Sequence, residues 1–143
     1  MYFFFSIAQD LEISCPSTGF TVGVNASVTC KVRKAAFTSP ACSKPATLIK
    51  FLFTTSNGVQ SVWCRSSYTT CSNADIPDPA CGTCSCSCET DDGTFLTHRL
   101  YFIPISAHDG GNFSCEVVCF NSGNLPALTD NNCDKVSVGK LIM

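Results

Sequence analysis

The chain has 143 residues, the size of one domain, with 45% hydrophobic and 14% charged residues. That is enough apolar material for a core and too much for a disordered chain. A net charge of −2 with nine scattered Lys and Arg leaves no basic stripe, which argues against nucleic acid or acidic membrane surfaces as partners.

Residues 1–8, MYFFFSIA, form a short apolar run ending in a small residue before Gln9-Asp10. The run reads as a remnant of a secretory signal peptide cleaved after Ala8, although no Lys or Arg precedes it; an ordinary first strand is the other reading. Residues 9–143 are expected to form a single domain. No other stretch approaches the roughly 20 apolar residues that span a bilayer, so no membrane insertion is expected within this chain. Its ending, VGKLIM, suggests a piece of something longer.

Short runs with period-two alternation then recur, punctuated by Gly, Pro, Asn and Asp. Leu11–Cys15 is a first strand, stopped by Pro16. Ala26–Val32 alternates cleanly, with Ala26, Val28, Cys30 and Val32 on one face. Leu48–Thr54 places Ile49, Phe51 and Phe53 together, and Asn57-Gly58 turns the chain into Val59–Cys64. Residues 65–93 read as a long irregular insertion held by disulfides. Thr94–Ile105, Asn112–Phe120 and Lys135–Leu141 complete about seven strands without a helix, the pattern of an all-β sandwich or barrel.

Twelve cysteines, at 15, 30, 42, 64, 71, 81, 84, 86, 88, 115, 119 and 133, set the compartment. An even and abundant set pairs in an oxidising environment, so the chain is expected to be extracellular, secreted or part of an ectodomain. Roughly ten thousand pairings are open to twelve cysteines, and their spacing does not choose among them.

Leu100–Cys115, LYFIPISAHDGGNFSC, carries Asp109-x-Gly111-x-Phe113-x-Cys115 after the apolar Leu100, Phe102 and Ile105. This resembles the passage from strand E to strand F of immunoglobulin domains, over a likeness that extends to roughly residues 11–140. The resemblance implies an immunoglobulin-like antiparallel β-sandwich with a cysteine-rich insertion between strands C/C′ and E. It implies that Gly111 permits the corner, that Phe113 plugs it in place of tyrosine, and that Asp109 makes a structural salt bridge or turn hydrogen bond. It also implies an inter-sheet Cys30–Cys115 bridge, stabilising by about 4–5 kcal/mol. No tryptophan falls in strand C, so Phe51 or Phe53 should pack on that bridge, with Trp63 on the next strand. The surplus cysteines resemble those of cysteine-rich invertebrate immunoglobulin-like ectodomains. A Cys119–Cys133 staple of the F–G hairpin and a Cys42 tie from the B–C loop to the insertion are among the pairings left open.

Cys81-x-x-Cys84-x-Cys86-x-Cys88 also suits thiolate metal binding, but on a strand Cys84, Cys86 and Cys88 face one way, toward different disulfide partners. No βαβ pattern surrounds Cys81 and Cys84, as a redox motif would require. His108 beside Asp109, with Ser106 and Ser114 near, lacks a nucleophile turn and reads as a solvated turn histidine; His98 alternates on a strand. No enzyme activity and no cofactor are expected. Asn25-Ala26-Ser27 and Asn112-Phe113-Ser114 are N-glycosylation sequons, Asn25 in an exposed turn and Asn112 in the corner. The expected function is recognition or adhesion, with a protein or glycan held by the end loops Phe37–Thr47 and Gly123–Cys133 and by the insertion. A structural spacer in a longer cell-surface protein is the alternative, and a metal cluster at 81–88 the third.

Overall fold

The computed structural model describes residues 10–37, 47–66, 76–77, 81–119 and 126–140. The strands are β1 (Leu11–Ser14), β2 (Phe20–Thr21), β3 (Ala26–Arg33), β4 (Thr47–Thr54), β5 (Gln60–Ser66), β6 (Ile76–Pro77), β7 (Ser85–Asp91), β8 (Phe95–Phe102), β9 (Asn112–Cys119), β10 (Pro126–Cys133) and β11 (Val138–Gly139). Lys34–Phe37 and Ser106–His108 form short 3₁₀ turns. One antiparallel sheet has the order β1-β3-β8-β7 and a second has the order β10-β9-β4-β5-β6. β2 and β11 pair in parallel, Phe20 opposite Val138.

Alternation explains how the two sheets share a core. On β3, Val28, Cys30 and Val32 are buried; on β8, in register with them, Leu100, His98 and Leu96 are buried. Ile49, Phe51 and Phe53 of β4 and Phe113, Cys115 and Val117 of β9 line the opposite sheet. Period-two burial of this kind is what a half-buried strand requires. β5 breaks the pattern. Phe51 pairs with Cys64 and Leu52 with Val62, so Trp63 is an extra residue, and Trp63 and Cys64 are buried side by side. A bulge turns both side chains inward, which regular pleating forbids. Trp63 thereby reaches the core from the neighbouring strand, its ring centroid 4.8 Å from Phe53 and 5.4 Å from Phe113. Phe51 lies beside Cys115 in the register of β4 and β9.

Several expected boundaries change. The stretch 65–93 is not irregular throughout, since Ser85–Asp91 forms β7, the edge of the four-stranded sheet, and Ile76–Pro77 pairs with the end of β5. Its run of cysteines and serines hides a strand because the inward positions are cysteines rather than aliphatic residues. Likewise, Pro126–Cys133 is a strand and not an end loop. Its Pro, Asp and Asn residues read as turn signals, but an edge strand with two register shifts tolerates them, and Pro126 stands at its first position. Lys135, expected in the last strand, instead has φ 51° in the turn after β10.

Candidate functional site

Disulfides hold the two sheets together. Cys30 on β3 is bonded to Cys115 on β9, with Cα atoms 6.4 Å apart at the centre of the core. Cys64 on β5 is bonded to Cys86 on β7, a second link between the sheets. Cys15, just past β1, is bonded to Cys133 at the end of β10. This replaces the Cys119–Cys133 staple left open by the sequence. Cys133 stands opposite Phe113, six residues from Cys119 along β9, or about 20 Å at the strand rise. That is far beyond the reach of a disulfide. The Ile13 amide donates to the buried Asp130 Oδ2 at 2.8 Å, drawing β1 against β10 and Cys15 toward Cys133. Cys81 is bonded to Cys84, and Cys88 is also disulfide-bonded. Among the described residues no cysteine is free, so the 81–88 run offers no thiolate set, and no group of His, Cys, Asp and Glu is arranged to hold a metal ion. Cys42, Cys71 and the side chain of Cys119 lie outside the described residues, as do residues 1–8 and most of Phe37–Thr47.

The corner between β8 and β9 is a packed aromatic cluster. Phe113 is fully buried, with ring centroids 4.9 Å from Phe53, 5.2 Å from Phe102 and 6.0 Å from Phe20. Gly111 does not supply the backbone bend, which belongs to Gly110 with φ 77°. Instead, Gly111 lies so close to Phe53 that a Cβ there would fall 2.4 Å from the ring. Asp109 Oδ1 accepts the Val138 amide at 2.9 Å, fastening β11 to the corner. His108 is half-buried rather than solvated, 5.2 Å from both Phe53 and Trp63. The Ile105 amide donates to its Nδ1 at 3.1 Å, and burial holds its pKa below the ordinary histidine value. Ser114 is buried, while His108 and Asp109 are both engaged with backbone amides. That arrangement builds the corner. His98 is fully buried between Cys30 on β3 and Cys88 on β7.

Among the described residues, the outward face of the four-stranded sheet carries a layer of aromatic rings and paired charges. Lys31 and Arg33 of β3 reach over the Phe95 ring, at 4.4 and 5.0 Å from its centroid. Arg33 also pairs with Asp10 at 3.0 Å. Lys34 pairs with Asp91 at 3.0 Å, and the Gly93 amide, then Lys34, hold the Asp91 carboxyl below its usual range. Further along, Arg99 pairs with Glu89 at 2.8 Å and donates to Ser27 Oγ at 3.2 Å. The Tyr101 hydroxyl also donates to Glu89. That bond, then Arg99, lowers the Glu89 pKa, while Glu89 raises that of Tyr101. Glu89 is free to do this because it is the bulged residue between Cys88 and Thr90. The result is a preorganised layer of aromatic rings and paired charges. These residues stand at the outward positions of the alternating strands, and their signal in the sequence is the recurrence of aromatic and cationic residues at alternate positions.

By contrast, Leu52, Ser114 and Val118 on the second sheet are buried but lie outside the main core cluster. A separate cleft of about 460 Å³ surrounds the Cys15–Cys133 disulfide and is lined by Ser17, Thr18, Asn132, Asp134 and Lys135 among others. Of the sequon asparagines, Asn25 is exposed just before β3, whereas Asn112 lies in β9 with its Oδ1 buried and followed by two buried residues. Among the described residues no helix is long and apolar enough to cross a membrane. Set against known proteins, the chain matches no protein-family model and none of the curated proteins.

Proposed function

We propose that the chain is an extracellular immunoglobulin-like recognition module that binds a protein or glycan and performs no catalysis. One observation carries this reading: Cys30 and Cys115 link the inner strands of sheets ordered β1-β3-β8-β7 and β10-β9-β4-β5-β6. In immunoglobulin letters those orders correspond to A-B-E-D facing G-F-C-C′ and a further edge strand, with the bridge joining B to F. β2 and β11 add a separate two-stranded parallel pair, made by segments that directly follow the outer strands β1 and β10. Multiple disulfides are typical of extracellular proteins, which supports that location. Fold alone names no ligand, so the ligand class comes from the surface. Lys31, Arg33 and Phe95 form a cationic and aromatic patch whose side chains are already held in place, which lowers the entropy lost on binding.

The test is a secreted, multimerised form of the chain offered to glycan arrays and cell-surface ectodomains. A charge reversal, Lys31→Glu with Arg33→Glu, is expected to weaken binding at least tenfold without lowering the yield of folded protein. Absence of binding to either panel would overturn the recognition reading in favour of a structural spacer.

A further inference from the structure

The opposite end of the same sheet face holds an unfilled hollow beside a sequon. Ser27 pairs with Tyr101 and Ala26 with Phe102, so continuing the register by one residue sets Asn25 beside Ile103, on the face shared by Ser27 and Tyr101. Ser85 flanks Tyr101 from β7. Tyr101 and Ile103 are 42% and 45% exposed and stand together on this face. Asn25, Thr83, Ser85, Tyr101, Phe102 and Ile103 line a shallow hollow of about 380 Å³. Tyr101 is held by Glu89 and flanked by Arg99 on the side away from Ile103.

We propose that Asn25 carries an N-linked glycan whose first N-acetylglucosamine folds back onto Tyr101 and Ile103 and fills this hollow. Transfer joins Asn25 Nδ2 to the anomeric carbon of a lipid-diphosphate-linked oligosaccharide. The bond from that carbon to the diphosphate breaks, and one Nδ2 proton leaves with the lipid diphosphate. The C–H face of the pyranose ring packs on the tyrosine ring and the isoleucine, while the Thr83 and Ser85 hydroxyls stand at the rim to meet polar groups of the sugar. Each contact is weak, but the covalent tether gives the sugar an effective concentration in the millimolar range. The ring is fixed beforehand, so little order is lost on docking. The glycan then covers this end of the face and leaves the Lys31–Arg33–Phe95 end open.

This inference rests on the proposed extracellular residence. The test uses the whole chain from a glycosylating secretory host, with site occupancy and disulfides read by mass spectrometry. Glycans are then trimmed to one N-acetylglucosamine, and melting is compared with that of Asn25→Gln. The single sugar is expected to raise the melting temperature by about 2–4 °C, and Tyr101→Ser or Ile103→Ser should each abolish that increment. Using the increment within each background removes the variant's own effect on stability. An increment that persists in both variants overturns the docking, as does no increment in the parent chain. An unoccupied Asn25 in a secreted, oxidised chain overturns the inference alone. A chain retained in cells with free thiols overturns the extracellular reading and the inference together.

Discussion

Gly111→Ala isolates what the corner demands of the sequence. An added Cβ would lie 2.4 and 2.6 Å from two carbons of the Phe53 ring and 2.9 Å from the Thr54 carbonyl oxygen. The ring cannot retreat, because it is 2% exposed and packed against Trp63, His108 and Phe113. The Thr54 oxygen belongs to the backbone and moves less easily still. Overpacking at a rigid site costs about 2–3 kcal/mol, and near-complete enclosure places this substitution at that upper end. For a domain of this length the loss corresponds to roughly 6–12 °C in melting temperature. Gly110→Ala is the control. Its added Cβ meets only Ser56 at 3.4 Å, so the cost comes from the φ of 77° and amounts to about 1–2 kcal/mol. Urea denaturation without reductant, followed by Trp63 fluorescence, measures both. If Gly111→Ala lies within about 0.5 kcal/mol of the parent while Gly110→Ala costs more, the corner is limited by backbone conformation and the packing argument fails.

Other expectations follow from the same geometry. Replacing Cys15 and Cys133 by Ala, which opens a separation of 118 residues, should cost about 4–5 kcal/mol; replacing Cys81 and Cys84, separated by 3, should cost about 2 kcal/mol or less. Equal losses in denaturation curves would show that chain entropy does not set the ranking. Asp130→Ala should remove about 1.5–3 kcal/mol by leaving the Ile13 amide without its charged acceptor. Unchanged hydrogen exchange at Ile13 would contradict this. His108 titrates below its unfolded value because burial disfavours the imidazolium. The unfolded chain therefore binds more protons in that window, and the stabilising contribution is complete above about pH 6.5 and is lost as pH falls through the folded-state pKa. His108→Gln should flatten stability between pH 7 and 5, and an unaltered slope would assign the dependence elsewhere.

The sequence by itself determined the all-β architecture and most of its inward faces. Val28, Cys30 and Val32, or Ile49, Phe51 and Phe53, alternate with polar residues, and a period of two admits one geometry. The cysteine count pointed to a disulfide framework for a similar reason, since so many thiols need partners. The expected alignment of Cys84, Cys86 and Cys88 along one strand follows from the same period. What remained hidden depends on neighbours that are distant along the chain. Cys133 bonds to Cys15 because Asp130 draws β1 against β10, and no local spacing records that approach. Trp63 reaches the core through a one-residue bulge that inverts the face expected from alternation. His108 looked solvated, but its surroundings come from Phe53, Trp63 and Phe102, on three other strands. Gly111 is expected to permit the corner through its backbone, but it is the Phe53 ring beside it that leaves no room for a Cβ. Local sequence sets which face a side chain takes; only the packed sheets decide what it meets there.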